Sequence, residues 1–166
     1  MELIITIAIL AIVMAIAIPS FTSTIQNSTI ASTSNDLVYA LNYARSEAMK
    51  RDVPVSVCAP TDSTYSACGS SWNLGWMVFV NPTGGSVLSN TATAPTLRVQ
   101  AITDQSLTIT TAPSIGIATY NGNGFPATNT GNAVFTIKAT GCNATAGRQI
   151  TVSLTGNPTV AAVTCP

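Results

Sequence analysis

The sequence predicts an α+β chain in which one long N-terminal helix lies across an antiparallel β domain. Three observations predict it. Residues 3–18 are apolar except for Thr6. Ile30, Leu37, Leu41, Ala44 and Ala48 then recur at spacings of seven, four, three and four, one stripe of a helix. From residue 53 the period changes to two.

The helix is read in two parts, 1–22 and 23–52. Residues 3–18 as a helix would reach about 24 Å, a little short of a hydrocarbon core of about 30 Å. A cleaved signal peptide would carry a positive start and a small-residue cleavage site, but Glu2 stands where Lys or Arg is expected. A carboxylate at bilayer depth costs several kcal/mol unless it is paired, so Glu2 calls for a partner. Pro19 lacks an N–H and crowds the preceding turn, which predicts a kink there. The Ser/Thr-rich stretch 27–35 is a weak helix former and is expected to be mobile without breaking the helix. Glu47 and Arg51 form an i,i+4 pair in the favoured order, and Pro54 ends the helix.

The β domain, 53–166, is read from VPVSVC (53–58), GWMVFV (75–80), TLRVQAI (96–102), SLTITT (106–111), NAVFTIKAT (132–140) and RQITVSL (148–154). Turn formers such as NPTGG, NGNGFP and TGNP separate them. Two small sheets are allowed by this pattern. Trp76 is assigned to the helix–sheet core. Trp72, beside Gly69-Ser70-Ser71, is divided between core and exposed platform.

Composition narrows the function. The chain has 166 residues, six Lys and Arg against six Asp and Glu, and no His. This charge-poor balance excludes a broad electrostatic grip on nucleic acid. Without His or a C-x-x-C pair a zinc site has no ligand set, and no metal or other cofactor is expected. Catalysis lacks a general base: Asp36, Glu47, Asp52, Asp62 and Asp104 make no close pair in the sequence, so no catalytic residue is assigned. Four cysteines allow three connectivities. The local pairing, Cys58–Cys68 and Cys142–Cys165, is favoured because each pair brackets a short polar segment, and it implies an oxidising compartment. Arg45 and Glu47 are read either as contacts to a neighbouring protein or as local bonds across the helix–sheet junction.

Several stretches resemble one family. Met1-Glu2 with the apolar run and Pro19 is similar to the end of the F-T-L-x-E start of type IV pilin-like proteins. ALNYARSEAMKRDVPVSVC (40–58), SWNLGWMVFVN (71–81), GIATYNGNGFP (116–126) and GRQITVSLTGNPTV (147–160) resemble the GspH/FimT group of minor pilins and pseudopilins, with FimU among them. The resemblance implies a type IV pilin fold and a Glu2 that pairs with the methylated N-terminal amine of a neighbouring subunit. It implies other minor pilins and the major pilin as partners, and the inner membrane as the location before assembly into a pilus. Prepilin peptidase would act on a leader upstream of Met1. The implied role is initiation of filament assembly near the tip, serving twitching, adhesion or DNA uptake, with a type II secretion pseudopilin as the alternative. DNA-binding members end in G-R-x-R. Here that run is Gly156-Asn157-Pro158-Thr159, and only the scattered cations Lys138 and Arg148 remain for phosphate, which disfavours DNA as a partner.

Overall fold

The computed structural model describes residues 2–84, 95–127, 130–142 and 144–165, and within the long helix it leaves the side chains of 15–20 outside that description. Helix α1, Glu2–Arg51, is unbroken over 50 residues, about 75 Å at the usual rise. Its backbone stays helical through position 19, but the side-chain placement that the Pro19 kink would need lies outside the described residues. In the Ser/Thr stretch, the Thr29 hydroxyl donates to the Ile25 carbonyl at 3.0 Å, so this polar group is satisfied inside the helix. Lys50 and Arg51 in the last turn oppose the helix dipole. Asp52 then turns the chain with a φ of 52°.

Eight strands follow: β1 Val55–Cys58, β2 Gly75–Val80, β3 Thr96–Ala101, β4 Leu107–Ala112, β5 Ile117–Tyr120, β6 Val134–Ala139, β7 Gly147–Val152 and β8 Pro158–Val163. They make two antiparallel sheets, ordered β3-β2-β1-β5 and β4-β6-β7-β8. Helix α1 packs on strands of both sheets. Its buried face is Ile30, Leu37, Ala40, Leu41, Ala44 and Ala48, and the alanines let the backbone approach the sheets closely.

Both tryptophans are core. Trp72 is 1 % exposed. Its ring meets Phe135 of β6 edge-on with centroids 4.9 Å apart, and its indole N–H donates to the Ile115 carbonyl at 2.8 Å. The platform reading of Trp72 is therefore withdrawn. A single 3-10 turn, Trp72–Leu74, points the ring inward despite its Gly-Ser-Ser approach.

Residues Ile117–Tyr120 escaped the alternation pattern for a physical reason. All four are buried, as are all four of β1, because at these strands the first sheet is covered on both faces, unlike at its exposed edge β3. On the face away from the helix, Cys58, Met77, Phe79 and Ile117 pack with Tyr65 and Cys68. The Cys58–Cys68 disulfide ties the loop over them, and the Tyr65 hydroxyl donates to the Leu74 carbonyl at 2.7 Å. Gly116 permits this loop to come close: a Cβ there would lie 2.1 Å from the Gly69 carbonyl oxygen.

Candidate functional site

The part of the molecule most out of keeping with water is the first half of α1. From Leu3, 71 % exposed, to Met14, 54 % exposed, the large apolar side chains of the arm lie open, and Phe21 and Ile25 continue the exposure. Burying such a side chain is worth about 1.5–3 kcal/mol, so the arm gains strongly on entering lipid or a bundle of like helices. Among the described residues no helix is long and apolar enough to cross a membrane. Residues 15–18, which complete the apolar run in the sequence, lie outside the described side chains. At the start of the arm Glu2 is exposed, and no group among the described residues pairs with it.

Where the arm meets the domain, two side chains clasp the helix to the sheets. The Gln26 amide donates to the Thr140 carbonyl at 2.9 Å at the lower end. At the upper end the Arg45 guanidinium donates to the Gly124 carbonyl at 3.0 Å and to the Asn157 side-chain oxygen. Arg45 thus joins the helix to the turn after β5 and to the turn between β7 and β8. Gly156 makes room for this closure. Its φ is 85°, and a Cβ would lie 2.9 Å from the Gly124 carbonyl oxygen. Behind the clasp the Tyr120 phenol is buried without a hydrogen-bond partner, and burial pushes its pKa up against a smaller opposing pull from Arg45. The sequence showed Asn157 only as a site of missing cations. Its role as the acceptor for Arg45 has no local signal across 112 residues.

Glu47 is buried on the same helix end. Its carboxylate accepts from Arg51 at 2.6 Å and faces Lys50 at 3.7 Å. The Arg51 hydrogen bond holds its pKa below the ordinary 4.5, against desolvation that pushes it up. The sign follows: a depressed folded-state value stabilises above the ordinary value and loses that stabilisation as pH falls through the lowered one. We therefore expect Glu47→Gln to reduce the melting temperature at pH 7. The wild-type and variant melting temperatures should converge as the pH is taken below the ordinary carboxylate range, which thermal denaturation followed by circular dichroism checks. Arg45 and Glu47 are thus both engaged within the chain.

Lys138 and Arg148 do not come together. Arg148 on β7 is the register partner of Ile137 on β6, so it stands on the face of Ile137, which is fully buried. Lys138 is the next residue along β6 and points to the opposite face. The Arg148 guanidinium is also occupied, donating from one nitrogen to the carbonyls of Thr145, Ala146 and Gly147 at 3.0–3.1 Å. Asp36 and Asp104, distant in sequence, line one cavity of about 140 Å³ between α1 and β3. Hydrogen bonding from the Ser106 hydroxyl, and then from the Ser106 backbone N–H, holds the Asp104 pKa low. Among the described residues no group of acids or cysteines could hold a metal ion.

The cysteines join locally. Cys58–Cys68 closes the loop over the first sheet, and Cys142–Cys165 fastens the chain end beside the turn after β6. There, the Cys165 backbone N–H also donates to the Ala144 carbonyl at 2.8 Å.

The family model described as "Type II transport protein GspH" matches residues 33–156. Two crystal structures of the type IV minor pilin FimU from Pseudomonas aeruginosa strain PAO1 have the same fold. The structure in space group P21 gives a TM-score of 0.61 at 23% identity, covering 84% of this chain and 96% of that one. The structure in P65 gives 0.59 at 24% identity, covering 82% and 99%. No curated protein matches the chain. The long helix on two antiparallel sheets is the type IV pilin fold, and with the family model matching from the second half of α1 through β7, the chain belongs to the GspH family.

Proposed function

We propose that the chain is a minor pilin, held in the inner membrane by its apolar arm and then drawn into a type IV filament. In the filament the arm exchanges lipid for the arms of neighbouring subunits, and Glu2 pairs with a neighbour's N-terminal amine. The domain touches other minor pilins and helps start assembly near the tip, in support of twitching or adhesion. The single observation that carries this reading is the exposed apolar arm, which projects from a folded, disulfide-bonded domain that does not cover it.

An unpaired carboxylate at the end of an apolar rod is tolerable only where a cation meets it, since removing one partner of a buried pair costs about 3–5 kcal/mol. In this reading a leader preceding Met1 is removed by prepilin peptidase and the new amine is methylated. The mechanism is assembly and requires neither cofactor nor catalytic residue.

A second reading, a pseudopilin of type II secretion, is favoured by the description of the matching family. Loss of exported enzymes with normal surface fibres, on deletion of the chain, would move the assignment there. DNA uptake receives no support from geometry, because Lys138 and Arg148 lie on opposite faces and Arg148 is engaged. The test of the preferred reading is recovery of the whole chain, arm included, from purified fibres.

A further inference from the structure

Beside α1, two adjoining hollows open where β3 runs into β4. The first, of about 140 Å³, lies against the helix at Thr33 and Asp36 and reaches Trp76. The second, of about 510 Å³, continues past Asn73 and Leu74 to Thr108. Ile102, Thr103, Asp104 and Leu107 wall both, so the two form one groove. Trp76 and Gln100 are register partners on β2 and β3, which ties the back of the groove to the first sheet.

The polar groups of this groove are left open. Trp76 is 1 % exposed and Thr33 8 %. Yet neither the Trp76 indole N–H nor the Thr33 hydroxyl makes a hydrogen bond among the described residues, and neither is sealed from solvent as the Tyr120 phenol is. Buried polar groups are ordinarily paired, and these two belong to the wall of the cavity. The Trp72 indole, by contrast, donates to the Ile115 carbonyl. Among the described residues Asp36 has no ion-pair or hydrogen-bond partner, and the Gln100 amide has none. Asp104 gives only part of its acceptor capacity to Ser106. No Lys or Arg lines either hollow. Arg98, two residues from Gln100 on β3, is held 4.7 Å from the centre of the Tyr39 ring.

We propose that this groove binds a neutral sugar, whose hydroxyls accept from the Trp76 indole and donate to Asp36, Asp104 and Gln100. The inventory of donors and acceptors selects that chemistry. A cation would satisfy the carboxylates but could accept nothing from the indole N–H. An anion would accept from the indole but would meet two carboxylates and no positive charge. A hydroxyl group does both, and a sugar ring carries several together with C–H faces for Leu74, Ile102 and Leu107. Water has the same hydrogen bonding but offers nothing to that apolar wall, so a sugar gains by displacing it. The larger hollow alone lies within the range of about 300–1,000 Å³ usual for small-ligand sites.

The test uses the full chain in a detergent without a sugar head group. Its two indole N–H signals are followed by nuclear magnetic resonance as D-glucose, D-galactose or N-acetyl-D-glucosamine is added. We expect at least one of these sugars to move the Trp76 signal with a dissociation constant in the millimolar range or below. The Trp72 signal, already hydrogen-bonded to Ile115, should stay in place. Asp36→Asn should raise that constant roughly tenfold, the worth of one hydrogen bond to a charged group. Asp36 is exposed, so the melting temperature should not change. If that variant folds poorly, Gln100→Ala repeats the test in the same groove. D-glucuronate should bind roughly tenfold more weakly than the neutral sugar or worse, since its carboxylate meets no cation. The proposal is overturned if none of the three sugars moves the Trp76 signal, if glucuronate binds as tightly, or if spermidine is the only probe that acts. A constant unaltered in both variants also overturns it, because the sugar would then lie elsewhere. None of these outcomes bears on incorporation into fibres.

Discussion

Glu2→Ala and Glu2→Leu are expected to lower incorporation of the chain into fibres by roughly a hundredfold to a thousandfold, the equivalent of losing one partner of a desolvated ion pair. Folding of the domain should not change. Glu2 and the arm around it are exposed, while the core that holds the domain begins at Ile30. Circular dichroism and the melting temperature should therefore match wild type, and immunoblotting of sheared fibres should show the loss. Leu at this position propagates a helix at least as well as Glu and would itself be welcome in lipid. Equal loss in both variants thus assigns the effect to the missing carboxylate, whereas a defect in Ala alone would assign it to side-chain size. Normal incorporation of both would remove Glu2 from assembly.

The largest expected effect on stability lies at Trp72. Trp72→Ala should cost about 3–5 kcal/mol through lost contact and the cavity left behind. The edge-on contact with Phe135 disappears, and the Ile115 carbonyl loses its shorter hydrogen bond, keeping only the Thr111 hydroxyl at 3.3 Å. Trp72→Phe keeps much of the ring but not the N–H, and should cost about 0.5–1.5 kcal/mol, the net worth of one hydrogen bond whose acceptor keeps the Thr111 hydroxyl. Urea denaturation of the two variants, with an unchanged slope, checks the order. A loss below about 1 kcal/mol for Trp72→Ala would contradict its place between the two sheets.

Much of the architecture is legible in residue spacing, and the exceptions have specific causes. The stripe from Ile30 to Ala48 marks the buried face of α1, and Pro54 marks where it must already have ended. In β6 the alternation is clean, with Phe135, Ile137 and Ala139 inward, because only one face of the second sheet is covered. The first sheet is covered on both faces at β1, β2 and β5, so β5 shows no alternation and is legible only through its likeness to a family segment. Strand β8 was hidden for the opposite reason, since its middle residues are all exposed. Trp72 misled because its polar neighbours describe the approach to the 3-10 turn, not the direction of the ring.

The site divides in the same way. Glu2 and the apolar run are local features, readable as a charge where no charge is stable alone. The Cys58–Cys68 and Cys142–Cys165 joins are short-range, with sequence separations of 10 and 23. The Arg45 clasp and the separation of Lys138 from Arg148 depend on register across distant strands, which no local pattern carries. One residue of offset between Ile137 and Lys138 decides that two cations close in sequence order across β6 and β7 face opposite ways.

The proposed filament subunit works through an arm that remains attached to its domain. The most direct measurement is intact mass spectrometry of the chain recovered from purified surface fibres of the native organism. A filament subunit of this kind should give a mass that includes residues 3–18, on the same polypeptide as the two disulfides. A domain found only as a periplasmic monomer, trimmed of that segment and absent from fibres, would contradict it.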